Sequence, residues 1–166
     1  MLTRRSLMGS ATALALFMGI AAPAFADPDA ALAKLQETVL SKGPSGEDPS
    51  PASDVVLSDE ELAKIKEMGA TAAIVMHYGG NDWSQAQING LQTQFGAMRI
   101  EVIAVTDAGF KPEKQVSDLE TIMAQSPDII VSIPTDPTAT AAAYRAAHEA
   151  GAKLAFMDNV PTGFVA

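Results

Sequence analysis

The sequence contains no cysteine among its 166 residues. Disulfide bonds, thiolate nucleophiles, zinc ribbons and iron–sulfur clusters all require cysteine sulfur, so each of them is excluded for this chain. Attachment of a lipid through cysteine is excluded for the same reason.

Positively charged residues are also scarce. Eleven Lys and Arg residues stand against 20 Asp and Glu residues, which gives a formal net charge of −9. Proteins that bind nucleic acids need clustered cations to neutralise phosphates, so we expect no nucleic-acid partner. Aromatic residues make up only 5% of the chain, while 48% is hydrophobic and 19% is charged. This composition is typical of a globular protein with an aliphatic interior, and the length suggests about one domain.

Residues 1–26 have the three parts of a secretory signal peptide. Arg4 and Arg5 form a positively charged start, residues 7–22 are apolar, and Ala24-Phe25-Ala26 supplies small residues for cleavage. We predict cleavage after Ala26 and a mature protein that lies in the periplasm and is not embedded in a membrane; an uncleaved membrane anchor is the alternative. The Arg pair also resembles a twin-arginine signal, so that route and ordinary secretion both stay open.

Residues 27–69 are predicted to form an N-terminal helical arm and a linker. The spacing of apolar residues predicts a short amphipathic helix over residues 30–40, whereas residues 41–53 are too rich in Pro and Gly for helix or sheet. Ser58 followed by Glu61 forms a capping box, which predicts a second helix that Gly69 ends.

From residue 70 onward, four apolar runs alternate with three helical patterns. The runs predict buried strands, and the patterns between them predict helices. The strands are expected at residues 72–76, 100–105, 129–133 and 154–157, and the helices at about 84–96, 112–125 and 137–150. Pro112 and Pro137 are expected in first helical turns, and Gly96 and Gly151 at helix ends.

This alternation predicts an α/β fold, a doubly wound parallel sheet in three α/β/α layers. Residues 70–166 are therefore predicted to form an α/β ligand-binding lobe. Because the sequence stops just after the fourth strand, we expect the lobe to be truncated and the chain to be part of a longer protein.

In an open parallel sheet, ligands bind outside the carboxyl ends of the strands. The loop after the first strand contains the only tryptophan, Trp83, whose flat face suits stacking on a sugar ring; the alternative is that it packs against a neighbouring helix. Asp158 and Asn159 follow the fourth strand and suit either adjacent ligand hydroxyls or a turn. Asp107 and Asp136 are interpreted as acceptors of backbone N–H groups where helices begin.

No motif for catalysis, cofactor binding or metal binding is present. The chain lacks the G-x-G-x-x-G, P-loop, G-x-S-x-G and H-E-x-x-H patterns. His148 is expected to face solvent on a helix, and His77 ends a strand without an identifiable partner for general-base work. We therefore predict no catalytic residue, no cofactor and no metal ion.

The exported start and the loops after the strands resemble the sugar-binding type of periplasmic solute-binding protein, the ribose-binding-protein-like group of ABC importers. The resemblance covers about residues 70–163. It rests on the Gly-Gly-Asn-Asp-Trp-Ser loop at residues 79–84 and on residues 114–119, 127–136 and 156–159.

The resemblance implies two lobes joined by a hinge, of which this chain supplies most of one. It also implies a set of ligand-binding residues after the first and fourth strands. These candidates are Asn81, Trp83, Asp158 and Asn159, with His77 and Tyr78 beside them. Asn159 stands where such proteins carry Arg, and Ser84 where a second aromatic is usual, so the resemblance leaves the identity of the sugar open.

The function implied by the resemblance is capture of a sugar or other small polyol in the periplasm and its delivery to an inner-membrane ABC permease, without chemistry. Two other functions stay open: an exported α/β enzyme acting on sugars, with its catalytic residues beyond residue 166, and a periplasmic sensory module of the same fold. An enzyme would convert the bound sugar, and a sensor would alter signalling without supporting uptake.

Overall fold

The computed structural model describes residues 27–38, 41–43 and 46–164. The predicted signal peptide, residues 1–26, lies outside the described residues. The chain divides into two compact units at Val39 and Leu40, and each unit is described by itself.

The described part of the first unit is a single helix, α1 (Pro28–Gln36). Asp27 caps it, because the Asp27 carboxylate accepts hydrogen bonds from the backbone N–H groups of Asp29 and Ala30 at 3.0 and 3.3 Å. A proline in the first turn is compatible with this start. The helix therefore begins two residues before the predicted range of 30–40 and ends at Gln36, while residues 39 and 40 lie outside the described part.

The second unit contains a parallel four-stranded sheet and flanking helices. Its elements are a 3₁₀ helix (Ala52–Val55), α2 (Asp59–Glu67), β1 (Thr71–Met76), α3 (Asp82–Ala97), β2 (Glu101–Asp107), α4 (Pro112–Met123), β3 (Ile129–Ser132), α5 (Ala141–Glu149) and β4 (Lys153–Phe156). None of the helices in the described ranges is long and apolar enough to cross a membrane.

The strand order is β2-β1-β3-β4, and every neighbouring pair is parallel. The chain passes from β1 to β2 on one side and then returns to β3 on the other side of β1. The order therefore reverses between β1 and β3, which is where open α/β sheets form their ligand crevice. The predicted α/β fold with a parallel sheet and alternating helices is confirmed.

The sheet lies between two helical layers. α3 packs Ile88 and Phe95 against one face of the sheet, while α4 and α5 pack Leu119 and Tyr144 against the other. The side chains of β1 alternate between the two faces, and residues 72–76 are all fully buried. This burial explains why the first strand reads as one continuous apolar run.

A buried hydrogen-bond chain joins α5 to the centre of the sheet. The Ser132 hydroxyl donates to the Val75 carbonyl oxygen at 2.8 Å, so the Tyr144 hydroxyl is the donor in its own 2.5 Å contact with Ser132. Burial raises the pKa of Tyr144 to about 12.

Several helix ends confirm the sequence analysis. Ser58 and Glu61 form the predicted capping box at the start of α2, with Gly69 (φ 62°) after its end. Pro112 lies in the first turn of α4, and Gly151 follows α5 with a φ of 107°.

Two predicted helix ends are wrong. Gly96 lies inside α3, which ends at Ala97 with Met98 as its C-cap, and Arg99 then takes the left-handed conformation with a φ of 58°. Pro137 does not start α5, because the Pro137 carbonyl oxygen accepts a hydrogen bond from the N–H of Thr162 at 2.8 Å. That carbonyl is therefore not used in a helical hydrogen bond, and α5 begins four residues later, at Ala141.

Candidate functional site

The candidate site lies at the carboxyl edge of the sheet, in the loops that follow the four strands. Because the strands are parallel, their carboxyl ends all meet at this edge, with the β1 and β3 loops at the point where strand order reverses. The predicted residues after β1 and after β4 are thus placed on one edge, separated by the β3 loop.

Four aromatic side chains gather after β1 and β2, and we call them the aromatic cluster: His77, Tyr78, Trp83 and Phe110. The His77 ring contacts both Trp83 and Phe110 edge-on, with centroids 6.4 and 5.0 Å apart. Tyr78 stacks on Phe110 at 4.7 Å with an angle of 13° between the planes. The Trp83 and Phe110 side chains are 52% and 58% exposed. The cluster is therefore an apolar surface open to solvent, and Trp83 is not buried in the core.

Two side chains, Tyr78 and Gln85, lie close against the glycines of the loop after β1. A Cβ atom on Gly80 would lie 2.4 Å from the Tyr78 hydroxyl oxygen, so no larger residue fits without moving Tyr78. The Gln85 side-chain amide donates to the Gly79 carbonyl oxygen at 2.7 Å. These contacts fix the loop against the first turn of α3.

Asn81 is the N-cap of α3. Its side-chain oxygen accepts a hydrogen bond from the N–H of Ser84 at 2.8 Å, while its side-chain NH₂ group is left for other acceptors. Asn81 itself is exposed, and Ser84 is fully buried. The helix thus begins at Asp82, two residues before the predicted start, and orients the loop that carries Trp83.

Phe110 was not predicted as a site residue, although it lies in the loop after β2. Gly109 and Phe110 have φ values of 57° and 60°, and the N–H of Lys111 donates to the Ala108 carbonyl oxygen at 3.0 Å. Two positive φ values inside such a hydrogen bond define a type I′ turn. The signal in the sequence is an aromatic residue directly after the glycine of a loop that follows a strand.

The loops after β3 and β4 are tied to each other and to α4. Asn159 donates from its side chain to the Pro134 carbonyl oxygen at 3.1 Å. Buried Gln115 of α4 donates to the Ile133 carbonyl oxygen at 2.9 Å and accepts from the N–H and hydroxyl of Thr135 at 2.7 and 2.9 Å. Asp158 is exposed and has a φ of 67°. The N–H of Asn159 donates to the carbonyl oxygen of Met157 at 2.8 Å across Asp158, which forms a tight and uncommon γ-turn.

Asp107 and Asp136 accept backbone N–H groups as expected, but in the turns that precede α4 and α5 and not at the helix starts. Asp107 accepts from the N–H of Gly109 at 2.8 Å, and Asp136 accepts from the N–H groups of Thr138 and Ala139 at 2.8 and 2.7 Å. His148, on α5, is exposed as predicted.

Three buried polar atoms at this edge have no hydrogen-bond partner within the described residues. They are Nδ1 of His77, Oγ of Ser84 and Oγ1 of Thr106. Such atoms are rare in folded proteins, since each carries a desolvation cost of about 1–3 kcal/mol. All three belong to the end of β1, the end of β2 or the first turn of α3, so they coincide with the candidate site.

Solved structures of three proteins share the fold of this chain. They are a periplasmic ribose ABC transporter protein from Conexibacter woesei (18% identity, TM-score 0.53), a periplasmic solute binding protein of an ABC transporter from Actinobacillus succinogenes with bound D-allose (22%, 0.52) and an ABC transporter solute binding protein from Clostridium phytofermentas with bound L-rhamnose (21%, 0.53). The similarity covers 57–58% of this chain, which spans only 29–33% of the length of those proteins.

Comparison with curated proteins finds no significant match. Comparison with family models matches residues 72–165 to the periplasmic binding protein domain. The matched segment begins in β1 and includes all four strands, the aromatic cluster and the loops after β3 and β4. It also amounts to more than half of the chain, which therefore belongs to the periplasmic binding protein domain family.

Proposed function

We propose that the protein is the periplasmic solute-binding component of an ABC importer, and that it binds a sugar or small polyol and delivers it to an inner-membrane permease. The observation that carries the proposal is the solvent-exposed aromatic cluster beside the point where strand order reverses. Family membership supports a binding protein rather than an enzyme. In this proposal the chain supplies one lobe and the ligand is held against a second.

Trp83 is proposed to provide the face on which the sugar ring stacks. Aromatic rings pair with the apolar face of a sugar, and Trp83 is the most exposed large ring beside the crevice that also carries a polar edge. His77 and Tyr78 are proposed to line the same surface. Because Asn81 uses its side-chain oxygen as the helix cap, its NH₂ group is the part proposed to donate to the ligand.

Asp158 and Asn159 are proposed to bind ligand hydroxyls from the other side of the crevice. A carboxylate accepts hydrogen bonds from hydroxyl groups, and so does the oxygen of a side-chain amide. The Asn159 NH₂ group donates to Pro134, which supports this assignment.

The proposed route to the periplasm is a signal peptide at residues 1–26, with either a twin-arginine or an ordinary secretion mechanism. Residues 27–69 are proposed to be an N-terminal arm and linker, and residues 70–166 the ligand-binding lobe. Intact mass of the periplasmic protein would test the first boundary: it should correspond to a start at Asp27.

The binding test uses Trp83 as its own reporter, since the chain has one tryptophan. Residues 27–166 are titrated with D-ribose, D-allose and L-rhamnose, and binding is followed by Trp fluorescence and by ligand-observed NMR saturation transfer. We expect millimolar affinity, because the described site is an open surface whereas tight sites bury most of their ligand.

The Met68→Ala variant is the control, since Met68 is exposed but precedes β1 at the opposite edge of the sheet. It should bind as the unmodified chain does, and the sugars should be recovered unchanged. Absence of saturation transfer with all three sugars would contradict sugar binding, and a converted sugar would identify an enzyme.

A further inference from the structure

Phe110 combines an exposed apolar ring with an unfavourable backbone conformation. The type I′ turn requires a positive φ at two adjacent residues, which Gly or Asn adopts far more readily than Phe. Gly109 satisfies the first position without strain, whereas Phe110, at 60°, does not. The ring then gains little from burial, because 58% of the side chain is exposed. In the absence of ligand, Gly or Asn at position 110 would therefore give a more stable turn than Phe.

Two of the three other described non-glycine residues with a positive φ have a ready explanation, and the third, Asp158, is itself a proposed ligand-binding residue. Arg99 and Ser126 have positive φ values within two residues after the C-caps of α3 and α4, where the left-handed conformation terminates helices. Phe110 follows a strand, so helix termination does not account for it. Backbone strain of this kind gathers at binding sites, where neighbouring contacts hold it in place.

The surroundings of Phe110 hold its ring in one orientation. The N–H of Phe110 donates to the His77 carbonyl oxygen at 2.7 Å, and His77 also meets the ring edge-on at 5.0 Å. Tyr78 stacks on the ring at 4.7 Å and so covers one of its faces. Tyr78 therefore covers one face, while Phe110 stays 58% exposed and leaves apolar ring surface open to solvent beside the proposed sugar site.

Phe110 and Trp83 are connected through His77, whose ring contacts both. A single sugar ring stacked on Trp83 leaves the exposed surface of the Phe110 ring for another part of the same ligand. Phe has no polar tip, so the group that it favours is apolar and flat.

We propose that Phe110 is a ligand-binding residue that recognises a second ring attached to the sugar, so that the preferred ligand is a glycoside rather than a free monosaccharide. This inference rests on the proposed function, because it places the sugar on Trp83. It extends the site from one aromatic contact to two.

The test compares the methyl and phenyl glycosides of D-ribose, D-allose and L-rhamnose, measured by ligand-observed NMR with residues 27–166. The phenyl glycoside of the bound sugar should bind about three- to tenfold more tightly than the methyl glycoside, the range expected for one aromatic stacking contact. Saturation transfer should be strong at the phenyl protons.

Two substitutions test whether Phe110 causes the preference for the phenyl glycoside. Phe110→Gly should abolish the phenyl preference, so that it binds the methyl and phenyl glycosides with equal affinity, while Phe110→Tyr should retain the preference. The Gly variant suits the positive φ of the turn, so we expect no loss of thermal stability. A folded Phe110→Gly protein that still prefers the phenyl glycoside would overturn the proposal.

Equal affinity of the wild type for methyl and phenyl glycosides would overturn it as well. In that case binding of the free sugars would still support the proposed function, so the role of Phe110 alone would fail. If neither the sugars nor any of their glycosides bind, the proposed function fails together with this inference.

Discussion

Replacement of Gln115 by methionine is expected to destabilise the fold strongly, although it changes neither the length of the side chain nor the helix propensity by much. Gln115 is fully buried, and its amide links α4 to the β3 loop through Ile133 and Thr135. That loop carries Pro134, whose carbonyl oxygen binds Asn159. The substitution therefore tests both the fold and the support of the candidate site.

The magnitude follows from the groups that lose a partner. The Ile133 carbonyl oxygen belongs to a residue that is only 1% exposed, so it would carry the full cost of an unsatisfied buried acceptor, about 1–3 kcal/mol. Thr135 is only partly buried, so its N–H and hydroxyl can turn in part to water and add about 1 kcal/mol together. The expected loss is about 2–4 kcal/mol, a large part of the 5–15 kcal/mol typical of a domain.

Urea unfolding of residues 27–166, followed by Trp83 fluorescence and far-UV circular dichroism, would measure this loss. Gln94→Met is the matched control, because Gln94 is an exposed glutamine in α3, and it should change stability by less than about 0.5 kcal/mol. A loss below about 1 kcal/mol for Gln115→Met would show that the three hydrogen bonds do not stabilise the loop as argued.

Three further substitutions have defined outcomes. Trp83→Ala should lower sugar affinity at least tenfold by NMR but cost only about 1–2 kcal/mol of folding stability, since half of the ring is exposed; a loss of 3–5 kcal/mol with intact binding would identify a core residue. Tyr144→Phe should cost about 1 kcal/mol at neutral pH, because Ser132 keeps its bond to Val75. The pKa of Tyr144 is higher in the folded protein than in the unfolded chain, so ionisation of this residue favours unfolding at alkaline pH. The stability of the wild type should therefore fall between about pH 10 and 12, and the stability of the variant should not show this fall. Hydrogen bonds from Ser58 and Thr71 lower the pKa values of Glu61 and Asp128 in the folded protein. The stability that these two carboxylates contribute at pH 7 should therefore be lost as the pH falls below about 4. A Glu61→Gln, Asp128→Asn double variant should lose less stability over the same pH range.

The sheet could be predicted from the sequence because its strands are buried on both faces. The β1 run is apolar at every position from residue 72 to 76, so its length and its flanking turns identify it without any knowledge of its neighbours. Helix starts with a local cap could also be predicted from the sequence, since the Ser58 capping box depends only on two residues three positions apart.

Helix ends set by distant contacts could not be predicted in this way. Gly96 has the local features of a helix stop, but Phe95 is buried and Met98 packs against the same core, so tertiary contacts keep the last turn of α3 helical past the glycine. The start of α5 depends on Thr162, which lies 25 residues from its partner Pro137 and competes for its carbonyl oxygen. No local pattern contains that information.

The candidate site shows the same division between local and distant determinants. The position of Trp83 after a buried strand was enough to place it at the carboxyl edge, because parallel strands bring all their loops to that edge. Phe110 could not be paired with it from sequence, since their connection through His77 requires β2 to lie directly beside β1, and nothing in the residues specifies strand order. Once the strand order is known, Phe110 can be recognised as an exposed ring in a strained turn, a feature that does not stabilise the fold. Because Phe110 destabilises the free protein and is exposed to solvent, its preference among glycosides is the property that should identify the ligand.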